Sequence, residues 1–313
     1  MDKHPGLVRL ALRLIGHGVL LACFLLTGGC SPSDEESYQP QYGDRPMQAA
    51  SKPNYLVGIH PLHNPVRLFE VYGPLVDRLN ALVQNAHFTL EASRNYGEYE
   101  NKLYARHFDL ALPNPYQTIN ALGHGYRVFG KMADDGNFRG ILLVRKDSGI
   151  HDVTDLKGKA VSFPADTALA ATMLPQQYLH DHGVPITAYE PRYVGSQESS
   201  IMNVYLGNTA AGATWPPPWQ AFQQDQPEQA AQLTVQWLTP SLPNNGLIAR
   251  DDFPPIVLKQ AADVLFDLQN SKEGREILAR IPLSRFEEAT TKTYDPVRLF
   301  VAHFDKTVRH LQE

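Results

Sequence analysis

From Tyr55 onward, apolar runs of strand length alternate with longer segments whose apolar residues return every three or four positions. YLVGIH reads as a strand. In the VRLFEVYGPLVDRLNALV stretch after Pro65, the spacing of Leu68, Val71, Tyr72, Leu75, Leu79 and Leu82 predicts a helix, opened by Pro65 and kinked or interrupted at Pro74. The pattern then repeats: HFTLEA, FDLAL, Tyr126 to Met132 and Gly140 to Arg145 as strands, with helices over Tyr96 to Arg106 and Tyr116 to Leu122 between them. A second set follows, with KAVSF, YEPRYV, AAGAT and LTVQWL as strands and helices over Ala168 to His182 and Glu198 to Leu206. LIARDD reads as a return strand after the turn at Pro243 to Gly246, and the tail from Pro254 is helical. Two such sets predict an α/β fold of two lobes, each a mainly parallel sheet flanked by helices, with a ligand cleft between them at the carboxyl ends of strands.

What precedes Tyr55 reads differently. Lys3, Arg9 and Arg13 make a basic start, Leu14 to Leu26 is uncharged and largely apolar, and LLTGGCSPSDEE follows. That length suits an export signal and is short for a bilayer span. Both cysteines of the chain, Cys23 and Cys30, lie here, so no disulfide is available to the folded part. The Leu-Thr-Gly-Gly-Cys ending resembles a bacterial lipobox, which makes Cys30 the expected lipidated residue and residues 1–29 a signal peptide. Thr27 stands where the pattern usually has an aliphatic residue. Residues 30–53, rich in Ser, Pro and Gln, read as the lipidated cysteine and a flexible tether. Without Lys3, Arg9, Arg13 and Asp2, the 28 basic and 33 acidic residues become 25 and 32. So acidic a balance excludes a nucleic-acid binder.

FDLALPNPYQTINA, GILLVRKDSGIHDVTDLKGKAVSF, LPQQYL, YVGSQESSIMNVYLGNTAAGA and LPNNGLIARDDFPP follow one another in a recognisable order. Over residues 54 to 290 the chain resembles the phosphate, phosphite and phosphonate type of ABC-transporter substrate-binding protein. The resemblance implies a hinge-closing periplasmic-binding-protein fold, with 54–146 plus 244–313 as one lobe and 147–243 as the other. It also implies a monomer at the extracytoplasmic face, held to a membrane by its lipid. There it captures a small-molecule ligand for an ABC permease or, in the alternative, for a membrane sensor. No enzyme is expected, since the mature domain lacks a cysteine nucleophile, a Gly-x-Ser-x-Gly elbow and a Gly-x-Gly-x-x-Gly loop. No cofactor is expected.

In that family, oxyanions are held at the helix start after the AVSF-like strand, where unpaired N–H groups and hydroxyls converge. Here the family's Ser-Thr-Ser-Gly falls on Ala168-Leu169-Ala170-Ala171, and only Thr167, behind Asp166, keeps a hydroxyl. The ligand is therefore expected to be other than phosphate or a simple phosphonate, with Asp166 and Thr167 either touching it or capping the helix. Tyr96 and Tyr116 match family tyrosines that face the ligand, and Asn114 stands just ahead of Tyr116. Glu198 matches an acidic ligand contact or serves the helix dipole. Trp215 and Trp219, flanking three prolines, are expected to form an aromatic wall of the cleft or a hydrophobic plug. His60, after the first strand, belongs near the cleft rim, and with His63 alone beside it no metal site is expected. Asn244 and Asn245 read as turn residues at the hinge return, with donation to the ligand as the alternative.

Overall fold

A computed structural model describes residues 52–311 of the chain. The signal peptide, Cys30 and nearly all of the tether lie outside the described residues.

The first lobe opens with β1 (Asn54–Ile59), α1 (Pro65–Leu82), β2 (His87–Glu91), α2 (Tyr96–Tyr104), β3 (Leu110–Leu112), α3 (Pro115–Ala121) and β4 (Tyr126–Met132). The second holds β5 (Arg139–Arg145), β6 (Ala160–Phe163), α4 (Leu174–Asp181), β7 (Glu190–Tyr193), α5 (Gln197–Tyr205), β8 (Ala211–Thr214), α6 (Pro216–Asp225), α7 (Pro227–Ala230) and β9 (Leu233–Ser241). The chain then returns through β10 (Gly246–Arg250), α8 (Pro255–Asp267), α9 (Lys272–Arg280), β11 (Phe286–Glu288) and α10 (Asp295–Thr307). Strand order is β11-β4-β10-β3-β1-β2 in one sheet and β7-β6-β8-β5-β9 in the other.

Both sheets are mixed rather than mainly parallel. β1 to β4 share one direction, and β10 runs against its neighbours β3 and β4; in the second sheet β5 runs against β8 and β9. Each reversed inner strand is the one that enters directly from the other lobe. Such a strand arrives from the cleft edge, where the parallel strands end, so it can only pair antiparallel to them. The first crossing therefore lies between β4 and β5, ahead of the boundary expected at residue 146, because β5 pairs with β8 and β9.

The helices form for local reasons that the packing then exploits. Asn64 accepts from the Arg67 N–H at the start of α1, Pro65 occupies the first turn, and Leu68, Val71, Tyr72, Leu75, Val76 and Leu79 form its buried face. Pro74 does not interrupt α1, which runs unbroken for 18 residues. That face packs on Val57, Phe88 and Leu110 of the sheet and on Leu265 and Ile277 of α8 and α9. At Asp152 and Asp155, in the GIHDVTDLKGK block, the carboxylates cap a short turn and bond nearby main-chain N–H groups, which is the scaffolding role its turn-forming composition predicts.

The two crossings are tied to each other. Met132 donates its N–H to the Asn245 carbonyl (2.9 Å) and Leu242 donates to that of Phe138 (3.1 Å). Asn244 donates its N–H to the Asp135 carboxylate (2.9 Å) and its side-chain amide to the Ala133 carbonyl (2.7 Å). Lys131, almost wholly buried, sits 2.7 Å from both Asp135 and Glu287. The hinge is thus a hydrogen-bonded pair of segments with a buried cation at its root.

Candidate functional site

The carboxyl ends of β1, β3, β6 and β8, and the helix starts that follow three of them, converge between the lobes on a cavity of about 10 Å³. That is room for about one water-sized group. A lateral groove of about 560 Å³ lies on one side and one of about 910 Å³ on another.

His60 follows β1 and is buried at the cavity wall. Its Nδ1 donates to the Leu112 carbonyl at 2.9 Å. Burial holds its pKa down at about 4, so the ring is neutral at pH 7 and Nε2 is an acceptor. Tyr96, the first residue of α2, faces the His60 ring edge-on at 6.3 Å. Its hydroxyl accepts from Gln197 Nε2 across the cleft (3.3 Å), and burial raises the phenol's pKa so that it stays protonated. Gln197 is itself aimed by Thr214, whose hydroxyl donates to Gln197 Oε1 at 2.8 Å.

Asn114 serves two structures at once. As N-cap of α3 it exchanges bonds with Gln117 in a capping box, and its Nδ2 donates to the Thr167 carbonyl of the opposite lobe at 3.1 Å. A third cross-lobe tie comes from beyond α10: Arg309 donates to Gln176 Oε1 at 3.0 Å and also bonds the Asp166 carbonyl. The lobes are closed on each other.

The second-lobe wall is carbon. Ala168, Leu169, Ala170 and Ala171 line the cavity on a wide π-type turn, Leu169–Met173, that leads into α4. Gly140 lets that turn approach: a Cβ there would lie 2.6 Å from the Ala170 carbonyl oxygen. Trp215, at the end of β8, packs edge-on against Phe138 at 5.5 Å and completes the wall. None of the cavity-lining residues carries a formal charge once His60 is neutral.

The structure thus brings His60, Tyr96, Asn114 and Trp215 together at one cavity. It places the other expected residues elsewhere. Tyr116, Asp166 and Thr167 line the 910 Å³ groove, where burial, and the charge of Asp166, raise the pKa of Glu100. Glu198 lines the 560 Å³ groove with His63, Arg67 and Asp225. Trp219 is absent from the cavity lining and packs in the second-lobe core with Ile141, Leu143, Ile201 and Phe222. The reason is the three prolines, which form the first turn of α6. Their missing N–H groups are ones a helix start leaves unpaired anyway, so the helix carries Trp219 one turn inward.

Two lining residues, Gln197 and Phe138, are not among the expected site residues, and Asn245, for which the sequence leaves turn and ligand roles open, also lines the cavity. For Gln197 the signal was present in Ser196, whose hydroxyl accepts from Ser199 and so fixes the start of α5 at the cleft.

With that geometry, the comparison with known proteins is decisive for the family. Residues 57–294 match the model of the phosphonate ABC-transporter periplasmic substrate-binding proteins. The chain belongs to that family. It is 23% identical over 192 residues to a probable phosphite-binding ABC transporter protein, PhnD1, of Prochlorococcus marinus strain MIT 9301. The match covers 57% of this chain and 63% of the relative, so the chain spans less than two thirds of that relative's length. A binding-protein component of a phosphonate ABC transporter from Pseudomonas aeruginosa superposes with a TM-score of 0.75 at 18% identity, over 82% of this chain and 88% of that one. PhnD1 in complex with methylphosphonate gives 0.75 at 19%, over 82% and 99%. The alkanesulfonate-binding protein SsuA from Xanthomonas axonopodis pv. citri, bound to MOPS, gives 0.62 at 15%, over 85% and 96%. These similarities establish the two-lobed fold of the family for this chain.

Proposed function

We propose that this family member is an extracytoplasmic solute-binding protein that closes its lobes on a small ligand and delivers it to the permease of an ABC importer. The supporting observation is the cavity at the strand ends, walled by both lobes and crossed by the Tyr96–Gln197 and Asn114–Thr167 bonds. Those bonds make closure and enclosure of a ligand one event. Acyl chains on Cys30, contributing roughly 0.8 kcal/mol per buried methylene, would hold the domain at the membrane. The intact mass of the mature N-terminus tests that attachment.

The ligand proposed is neither phosphate nor a simple phosphonate. An oxyanion leaving water needs donors or a cation, and here the side chains of Ala168 to Ala171 supply no donor where the family has hydroxyls, and His60 is neutral. Calorimetry with phosphate, methylphosphonate and MOPS is the test; affinity of micromolar or better for phosphate or methylphosphonate would overturn this reading. Deleting the permease separates delivery from signalling: import of the ligand stops if the protein delivers it, and continues unchanged if it only reports to a membrane sensor.

A further inference from the structure

Asn245 ends the second crossing, one residue before β10, and its main chain is fixed on both sides. Its N–H is donated to Asn244 Oδ1 at 2.8 Å, and its carbonyl accepts from Met132. Its side chain, fully buried, lines the central cavity. The amide nitrogen lies 3.4 Å from the Met132 sulfur, an atom that can only accept. That contact orients the amide and leaves Oδ1 as the group without a partner in the protein. Buried amide oxygens are nearly always paired, and an unpaired one at the wall of a cavity between the lobes is an unfilled acceptor. His60 adds a second acceptor to the same cavity, since its Nδ1 is committed to Leu112.

Resting on the solute-binding reading above, we propose that Asn245 is a ligand-binding residue whose Oδ1 accepts a hydrogen bond from an uncharged O–H or N–H group of the ligand. Hydroxyl, amide and protonated-acid groups meet that requirement; a fully deprotonated oxyanion such as a sulfonate does not. The position also links occupancy to closure. The adjacent Asn244 holds the first crossing through Asp135 and Ala133, and its carbonyl accepts from Tyr294 at 2.8 Å. A ligand bound at Asn245 therefore pulls on the hinge itself as well as on the lobe faces.

The test uses the full chain, purified gently, with the small-molecule fraction released from it on denaturation as the probe. That fraction is identified by mass spectrometry, returned to emptied protein, and located in a crystal structure. The expected result is an O–H or N–H group within about 3.2 Å of Asn245 Oδ1. Asn245→Leu is expected to retain at least tenfold less of the same fraction, about 1.4 kcal/mol. Asn245→Ala is read the same way if the leucine variant does not fold. A carbon or a deprotonated oxygen against Oδ1, or folded variants that retain the fraction as wild type does, would overturn this inference and leave the solute-binding function standing. Wild-type protein that retains nothing, and binds nothing from a panel of small solutes, would overturn both.

Discussion

On the first-lobe side of the cleft, His60, Tyr96 and Asn114 present polar atoms, each oriented by a bond to Leu112, Gln197 or Gln117. On the second-lobe side, Ala168 to Ala171 and Trp215 present carbon, and Gln197 is the polar exception. On the proposed function, this difference would divide the work of recognition. A wall of fixed hydrogen-bonding groups discriminates by chemistry, because a mismatched partner leaves a buried polar atom unpaired, whereas a carbon wall discriminates by size and shape. Closing the two together would give the proposed site both criteria.

The largest test of that division compares Trp215 and Trp219 of the second lobe. Trp215→Ala and Trp219→Ala each remove a buried indole and are expected to cost about 3 to 5 kcal/mol in urea unfolding. Only Trp215→Ala should also weaken ligand binding, by more than tenfold, because Trp219 faces the core. Equal losses of affinity in both would erase the distinction between wall and core.

The next test is pH. The folded pKa of His60, about 4, lies below the 6.5 of an unfolded histidine, so the unfolded chain binds more protons between those values. Its contribution is fully present above pH 6.5 and is lost as pH falls toward 4, by about 3 kcal/mol at most. His60→Gln should flatten the stability difference between pH 7.5 and pH 5; His63, shifted the same way, stays in both proteins. An unchanged slope would mean that His60 is not buried neutral in the closed form.

Gln197→Leu removes the polar exception. It breaks the bond to Tyr96 and leaves the buried Thr214 hydroxyl without its acceptor, at a cost of about 1 to 3 kcal/mol. The radius of gyration from solution scattering should increase as the open form gains population. The smallest expected effect comes from adding polarity to the carbon wall: Ala168→Ser with Ala171→Ser should raise methylphosphonate affinity about tenfold, or about 1.4 kcal/mol. No gain would show that shape, and not missing donors, excludes the oxyanion.

Element type was legible in the sequence because period and capping act locally. Leu68, Val71, Leu75 and Leu79 announce α1, and the strand ends after β1, β3 and β8 place His60, Asn114 and Trp215 at the cleft without any pairing information. Strand direction was not legible, since β5 and β10 are reversed by a chain crossing that no local pattern records. The proline triplet left two readings for its flanking tryptophans, cleft wall or hydrophobic plug, and tertiary packing decides between them: Trp215 lines the cavity and Trp219 is packed in the core. Asn245 looked like a turn residue because its role depends on Met132, which lies 113 positions earlier in the chain.

The double crossing also makes the chain divisible. β4 and β10 are antiparallel neighbours, as are β5 and β9, with Arg139 opposite Ser241, so each lobe begins and ends at one place. An Asn-Gly turn in place of residues 133–244 would join β4 to β10 as an ordinary hairpin. Residues 139–241, cut out, keep the whole of the second sheet. Phe138, Ala168 to Ala171 and Trp215 share a core cluster with Tyr294, Val297 and Phe304 of the first lobe, so a cooperative melt of either half alone would show that each lobe folds without that shared core.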